Sequence, residues 1–217
     1  MNPIALALGA RSGLLSPAVR QHILQEEGTA RYRGVMRSVW VGTAETEWIL
    51  RPILLCASRF FDLLAPAAGQ NVPFDLVHEV RLLDRRKPAM SWARMFYFSH
   101  GLARFNDVIT YEDGRLVDWL GRGFPIASTL MVSASDGAMV MESGSEQWLN
   151  IGRLRISIPT PLRALARVRE WEDEDGILQV DAFIWSPILG PICGYRGWFN
   201  RKNSPSAGQS SSPVPSA

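Results

Sequence analysis

Lysine, histidine and cysteine are all scarce in this chain. Of its 23 basic side chains only two are lysines, and the 217 residues hold three histidines and two cysteines. Cys56 and Cys193 lie far apart with no CxxC spacing, so they read as two buried, reduced thiols packing as small hydrophobes. His22, His78 and His100 are isolated in sequence, which leaves no metal-ligand cluster and no metal site to expect. There is no glycine-rich phosphate loop of the dinucleotide or nucleotide type, and no GxSxG elbow, so no cofactor and no hydrolase triad is expected. No uncharged run reaches the ~18 apolar residues that a membrane-spanning helix needs. The apolar run Ile4–Leu8 is too short for an export leader, and its arginine, Arg11, follows it rather than precedes it. A cytoplasmic protein without a membrane span is the resulting expectation. A charge surplus is missing too. The net charge is +2 and the arginines are scattered rather than gathered into a stripe, which argues against nucleic acid as a partner.

What is present is ample apolar material. Hydrophobic residues make up 47% and charged residues 20%, enough for one well-cored domain over residues 1–200. The Ser/Pro-rich tail, 201–217, cannot bury apolar surface and is expected to be disordered. Near the N-terminus Ser16-Pro17 reads as a helix start leading into Ala18–Glu26, with Gly28 as its stop. Tyr32–Val41 is rich in Val, Trp and Tyr and reads as a strand. Thr46–Leu64 is the longest helical candidate, with Trp48, Ile49, Ile53, Leu55, Phe60, Leu63 and Leu64 gathered loosely on one side at helical spacing. From Phe74 to Leu82 the period becomes two: Phe74, Leu76, His78, Val80 and Leu82 share one face, and Asp75, Glu79 and Arg81 fall on the other. Met90–Phe98 follows through the charged loop Asp84–Lys87.

The later two thirds repeat one device. Asp113-Gly114, Asp136-Gly137 and Asp175-Gly176 each stand between apolar runs, and Asp-Gly supplies the positive φ that a tight hairpin needs. The predicted fold class is therefore α+β: a strongly curved antiparallel meander of about seven to nine strands, covered by one or two N-terminal helices.

The last hairpin permits a register argument. Centring its tip on Ile188-Leu189 sets Asp181 opposite Arg196 and Gln179 opposite Trp198. Leu178, Val180, Ala182 and Ile184 then share an apolar face with Phe199, Gly197, Tyr195 and Cys193. Extending the pattern across the turn at Glu172–Gly176 sets Arg167 beside Asp181, giving a row Arg167–Asp181–Arg196. One account of this row is an exposed ladder of cross-strand charges. A sharper one notes the aromatics on the same face. If that face lines the concave side of the sheet, Arg167, Asp181, Trp185, Arg196 and Trp198 form a ligand-binding pocket with surplus positive charge for an acidic group. No nucleophile or titrating base accompanies the row, so no catalytic residue is assigned. A loop centred between Arg86 and Lys87 sets Glu79 opposite Arg94, read as an exposed ion pair. His78 reads as a core histidine, and His22 and His100 as surface residues. The helix over 46–64 reads as cover for the sheet's open face in preference to a lipid-surface helix.

The segment Asp181–Trp198, with its Pro187-Ile-Leu-Gly190 tip leading into Tyr195-Arg-Gly-Trp198, resembles the terminal hairpin of a bacterial family catalogued as domain of unknown function 4166. Tyr32-Arg33-Gly34, Trp92-Ala-Arg94-Met-Phe96, Leu8-Gly9 and Leu15-Ser16-Pro17 also look like family positions, so the resemblance spans most of residues 5–200. It implies no catalytic residues. It does imply an association with NAD(P)-dependent oxidoreductase domains of the saccharopine dehydrogenase-like or short-chain type, to which members look like a C-terminal companion. Three functions follow as expectations: a non-catalytic module with an apolar pocket for a small acidic or fatty-acyl ligand, an interaction module docking on such an oxidoreductase, or an enzyme of unknown reaction using Asp181.

Overall fold

The computed structural model describes residues 2–63, 67–83, 87–152 and 154–202. The tail from 203 onward and positions 84–86 of the charged loop lie outside the described residues. Eleven antiparallel strands form one sheet: β1 Gly28–Val41, β2 Gly69–Leu83, β3 Lys87–Phe98, β4 Gly101–Glu112, β5 Arg115–Leu120, β6 Ile126–Ser135, β7 Ala138–Ile151, β8 Leu154–Ser157, β9 Leu165–Glu172, β10 Leu178–Ser186 and β11 Gly190–Arg201. Ten of them close into a barrel, because β1 pairs with both β2 and β11 and β7 pairs with both β6 and β9; β8 is an extra strand on the edge of β7. The antiparallel, strongly curved meander is therefore as expected, but there are more than the seven to nine strands expected, and the curvature runs to full closure. Closure removes the edges that an open sheet would leave unpaired.

The three Asp-Gly pairs are hairpin turns, as their chemistry demands. Asp113 and Gly114 have φ of 49° and 79°, and Asp136 and Gly137 have 50° and 78°, the two consecutive positive values of a tight primed turn. In the third hairpin only Gly176 is positive, and Asp173 accepts hydrogen bonds from the backbone N–H groups of Asp175 and Ile177.

Closure brings together two copies of one tripeptide. Tyr32-Arg33-Gly34 on β1 lies against β11, where Tyr195-Arg196-Gly197 stands: Gly34 is opposite Phe199, and Met36 is opposite Gly197. Both tyrosines point into the barrel and are buried, while both arginines point out to carboxylates, Arg33 to Asp75 and Arg196 to Asp181. The glycines allow the strands to press together. A Cβ on Gly34 would sit 1.8 Å from the Trp198 carbonyl oxygen, and one on Gly197 would sit 2.2 Å from that of Val35.

The other seam is narrower. β7 and β9 pair over Met139–Glu142 and Arg167–Glu170. Beyond that point side chains take over the ladder. The Gln147 amide donates to the Ala164 carbonyl and accepts from its N–H, at 2.9 and 3.0 Å, and the Ser143 hydroxyl accepts from the Ala166 N–H.

The helices close the ends rather than cover a face. α1 (Pro3–Leu8) and α2 (Pro17–Ile23) plug the end that carries the Asp-Gly turns, with Ile4, Val19, His22 and Ile23 almost wholly buried. Ser16 precedes α2 as expected but makes no side-chain cap; the Glu172 carboxylate, at the end of β9, accepts from the Ala18 N–H instead. α3 (Glu47–Phe61) leaves β1 and reaches the β5–β6 loop at the opposite end, where the Phe61 and Asp62 carbonyls accept from Arg122 and Asn106. Leu50 is the buried residue of α3. Cys56 is exposed on this helix, so only Cys193 is the buried thiol that the sequence led us to expect. No helix is long and apolar enough to cross a membrane among the described residues.

Candidate functional site

The inward-facing wall is built by alternation. On β2 it presents Phe74, Leu76, His78 and Val80, on β3 Met90, Trp92, Arg94 and Phe96, and on β10 and β11 the apolar set read from the register. Asp181 does pair with Arg196, and Gln179 with Trp198. The face that carries them is nevertheless the outer wall, because Tyr195, Gly197 and Phe199 take the inside.

This corrects the concave pocket expected of Arg167, Asp181, Trp185, Arg196 and Trp198. The Arg196 side chain is 65% exposed and Arg167 59%. The neighbour of Asp181 on β9 is Arg169; Arg167 lies opposite Phe183 and pairs with Glu142 at 3.4 Å. Arg167 and Trp185 line a shallow open groove with Phe183, whereas Trp198 lines a separate one with Arg33, Asp75 and Tyr97. The five residues surround no common enclosed space.

The charged residues that are enclosed are different ones. Arg94, expected in an exposed pair with Glu79, lies opposite Leu76 instead and points into the barrel; Glu79 is opposite Ser91 and sits 3.6 Å from Arg81. Arg94 Nη1 donates to Asp107 Oδ2 on β4 at 2.9 Å, with both side chains 6% exposed or less. The guanidinium is also sandwiched between aromatic faces, 5.0 Å from the Trp92 ring and 4.9 Å from Phe105. Around this pair stand Asp118 of β5, Glu170 of β9, Tyr32, His78 and Tyr195. From the plugged end comes His22, which is buried rather than at the surface as expected. The His22 ring meets His78 at 5.2 Å and Tyr32 at 4.5 Å, and its Nε2 lies 3.4 Å from Glu170 Oε2.

Many of these groups lack partners. Both ring nitrogens of His22 and of His78, Tyr32 Oη, Trp92 Nε1, Asp107 Oδ1, Asp118 Oδ1 and Glu170 Oε2 are sealed from solvent and have no hydrogen bond among the described residues. An unpaired buried polar group costs about 1–3 kcal/mol, so each of these atoms calls for a partner such as a water or a ligand group.

Enclosure also sets their charge. Burial, helped by His78 and Arg94, holds His22 well below the usual imidazole range, and burial with Arg94 takes His78 down to about 4. Burial pushes Glu170 up to about 7 against the pull of Arg94, with Asp107 adding to the rise. Asp118 is pushed further above the carboxylate range by burial and by Asp107. Near neutral pH the cluster is thus one cation beside a carboxylate, two neutral imidazoles, a protonated Asp118, and Glu170 close to its midpoint of titration, so that its proton can be donated in hydrogen bonds below about pH 7.

Trp92, Arg94 and Phe96 face this interior, and so do Tyr32 and Tyr195. The family model described as Domain of unknown function (DUF4166) matches residues 15–199. The chain belongs to that family. No curated protein and no solved structure matches it. For this family member, then, the motif residues sort by side. Tyr32, Trp92, Arg94, Phe96 and Tyr195 line the lumen, Gly34 and Gly197 close the wall, and Arg33 and Arg196 decorate the outside. Sequence reasoning missed the lumen cluster because Asp107, Asp118 and Glu170 alternate with apolar residues much as outward-facing acids do. The available signal was Trp92-x-Arg94-x-Phe96, three inward positions at period two.

Proposed function

We propose that this family member is a non-catalytic binding barrel. Its recognition centre is the lumen cluster around Arg94, and its ligand is a small molecule with an acidic head on an apolar body. The observation that carries this reading is the ring of sealed, unpartnered polar atoms from six strands and α2, set in a wall of Phe74, Phe96, Ile109 and Phe199. Arg94, Trp92 Nε1, Tyr32 Oη and the protonated carboxyls of Asp118 and Glu170 are all donors, the set that an anionic head requires. Met36, Met90, Met139 and Met141 line the same interior and can repack around an entering chain.

The test is titration of the purified chain with dodecanoate, followed by calorimetry and native mass spectrometry. One-to-one binding is expected, weakened about tenfold or more by Arg94→Met and by Asp118→Asn. Affinity should fall as pH rises through about 7, because Glu170 then ionises and repels a carboxylate, and Glu170→Gln should remove that dependence. Absence of any carboxylate binding by a folded protein, or equal binding by Arg94→Met with its fold intact, would sink the proposal.

A further inference from the structure

We infer that the α3 end of the barrel docks on an anionic lipid surface, whatever the lumen binds. The two ends of the molecule differ. At the end plugged by α1 and α2 the hairpins turn through Asp-Gly pairs, and the large apolar side chains exposed there are Leu14 and Leu82. At the other end four of the connections present one. Trp48 and Phe60 of α3 are 74% and 63% exposed, Ile151 and Leu154 at the β7–β8 turn 58% and 59%, and Ile188 at the β10–β11 tip 62%, with Phe124 in the β5–β6 loop beside them. α3 buries Leu50 at the barrel mouth and turns Trp48 and Phe60 outward.

The choice of lipid over protein rests on how these side chains are set and on the charges between them. They stand on four separate segments with charged residues between them, whereas a protein interface has an apolar core depleted of charge. Arginines sit among them. Arg59 is exposed and has no acidic partner among the described residues; Arg155 is exposed too, lies across the Trp148 ring at 3.9 Å and is close enough to Glu112 to help lower its pKa. The acids of this end are Glu45, Glu47 and Asp62; Glu47 lies 3.9 Å from Arg51 and Asp62 3.7 Å from Arg122. Tryptophan, phenylalanine and isoleucine tips that enter the acyl boundary, with guanidinium groups at phosphate level, are the chemistry of an anionic interface. The outer wall below carries Arg33, Asp75, Asp181 and Arg196, so contact stops at the rim. Docked this way, the barrel mouth faces the bilayer.

The experiment is flotation of the full chain with phosphatidylcholine vesicles, with and without phosphatidylglycerol. Binding is expected to the anionic vesicles, to weaken as salt is raised, and to drop about tenfold in a Trp48→Ser, Phe60→Ser double variant. Leu14→Ser, at the opposite end, should bind as the parent does. The inference falls if neither vesicle retains the chain, or if Leu14→Ser loses as much binding as the double variant. It also falls if the double variant instead dissolves a homodimer seen by light scattering, or abolishes a stoichiometric complex with an oxidoreductase from the native host.

Discussion

Two ion pairs in this protein are chemically alike and energetically different. Asp181 and Arg196 meet on the outer wall, where solvent screens them and an exposed pair contributes about 0–1 kcal/mol. Asp107 and Arg94 meet inside the barrel, and removing one partner leaves an uncompensated charge. Asp107→Leu should cost about 3–5 kcal/mol in urea unfolding and Asp181→Leu less than 1 kcal/mol. Similar costs for the two would contradict the burial assigned here. Glu170 supplies a pH signature. Its folded pKa of about 7 lies above the ordinary carboxylate value, so the folded state holds the proton more tightly. Its contribution to stability is complete below the unfolded pKa and is lost as pH rises through about 7. Thermal melts should show stability falling between about pH 5 and pH 7 from this source, and Glu170→Gln should flatten that slope. His78 and His22, lowered by burial, act in the opposite sense: their contribution is lost as pH falls below the ordinary imidazole range.

Among the elements, the strands at the two seams decide whether the barrel exists. β1 and β11 approach so closely at Gly34 and Gly197 that a methyl group at either position meets main-chain atoms, which cannot swing aside. Gly197→Ala should cost more than about 2 kcal/mol. An alanine at Gly101 has open space around it and pays only for its positive φ of 147°. β7 and β9 depend on Gln147 acting as a substitute peptide group. Gln147→Ala should therefore raise amide exchange at Ala164 and Ala166 while leaving the β1–β11 seam protected. Much of this level is legible in the chain. The β10–β11 register, the three turns and the alternation of β2 follow from period-two patterning and from the positive φ that Asp-Gly tolerates. The β2–β3 register does not. It was displaced because a loop centre assumed at Arg86-Lys87 moved Arg94 onto Glu79, and an arginine on an apolar face reads more naturally as an outward residue.

For the molecule as a whole, the amino-acid sequence determined the antiparallel meander, its Asp-Gly turns, the family, and, outside the β2–β3 pair, which residues share a face. Those properties are local: alternation, turn chemistry and short motifs act over a few residues. Tertiary structure decided which face looks inward, because that depends on β1 meeting β11 across more than 150 residues, and no local pattern distinguishes a curved open sheet from a closed one. Once the circle closes, Tyr195, Gly197 and Phe199 take the lumen and Asp181 and Arg196 are left to water. Arg94, Asp107, Asp118 and Glu170, which alternate along their strands like surface charges, are enclosed by the same act.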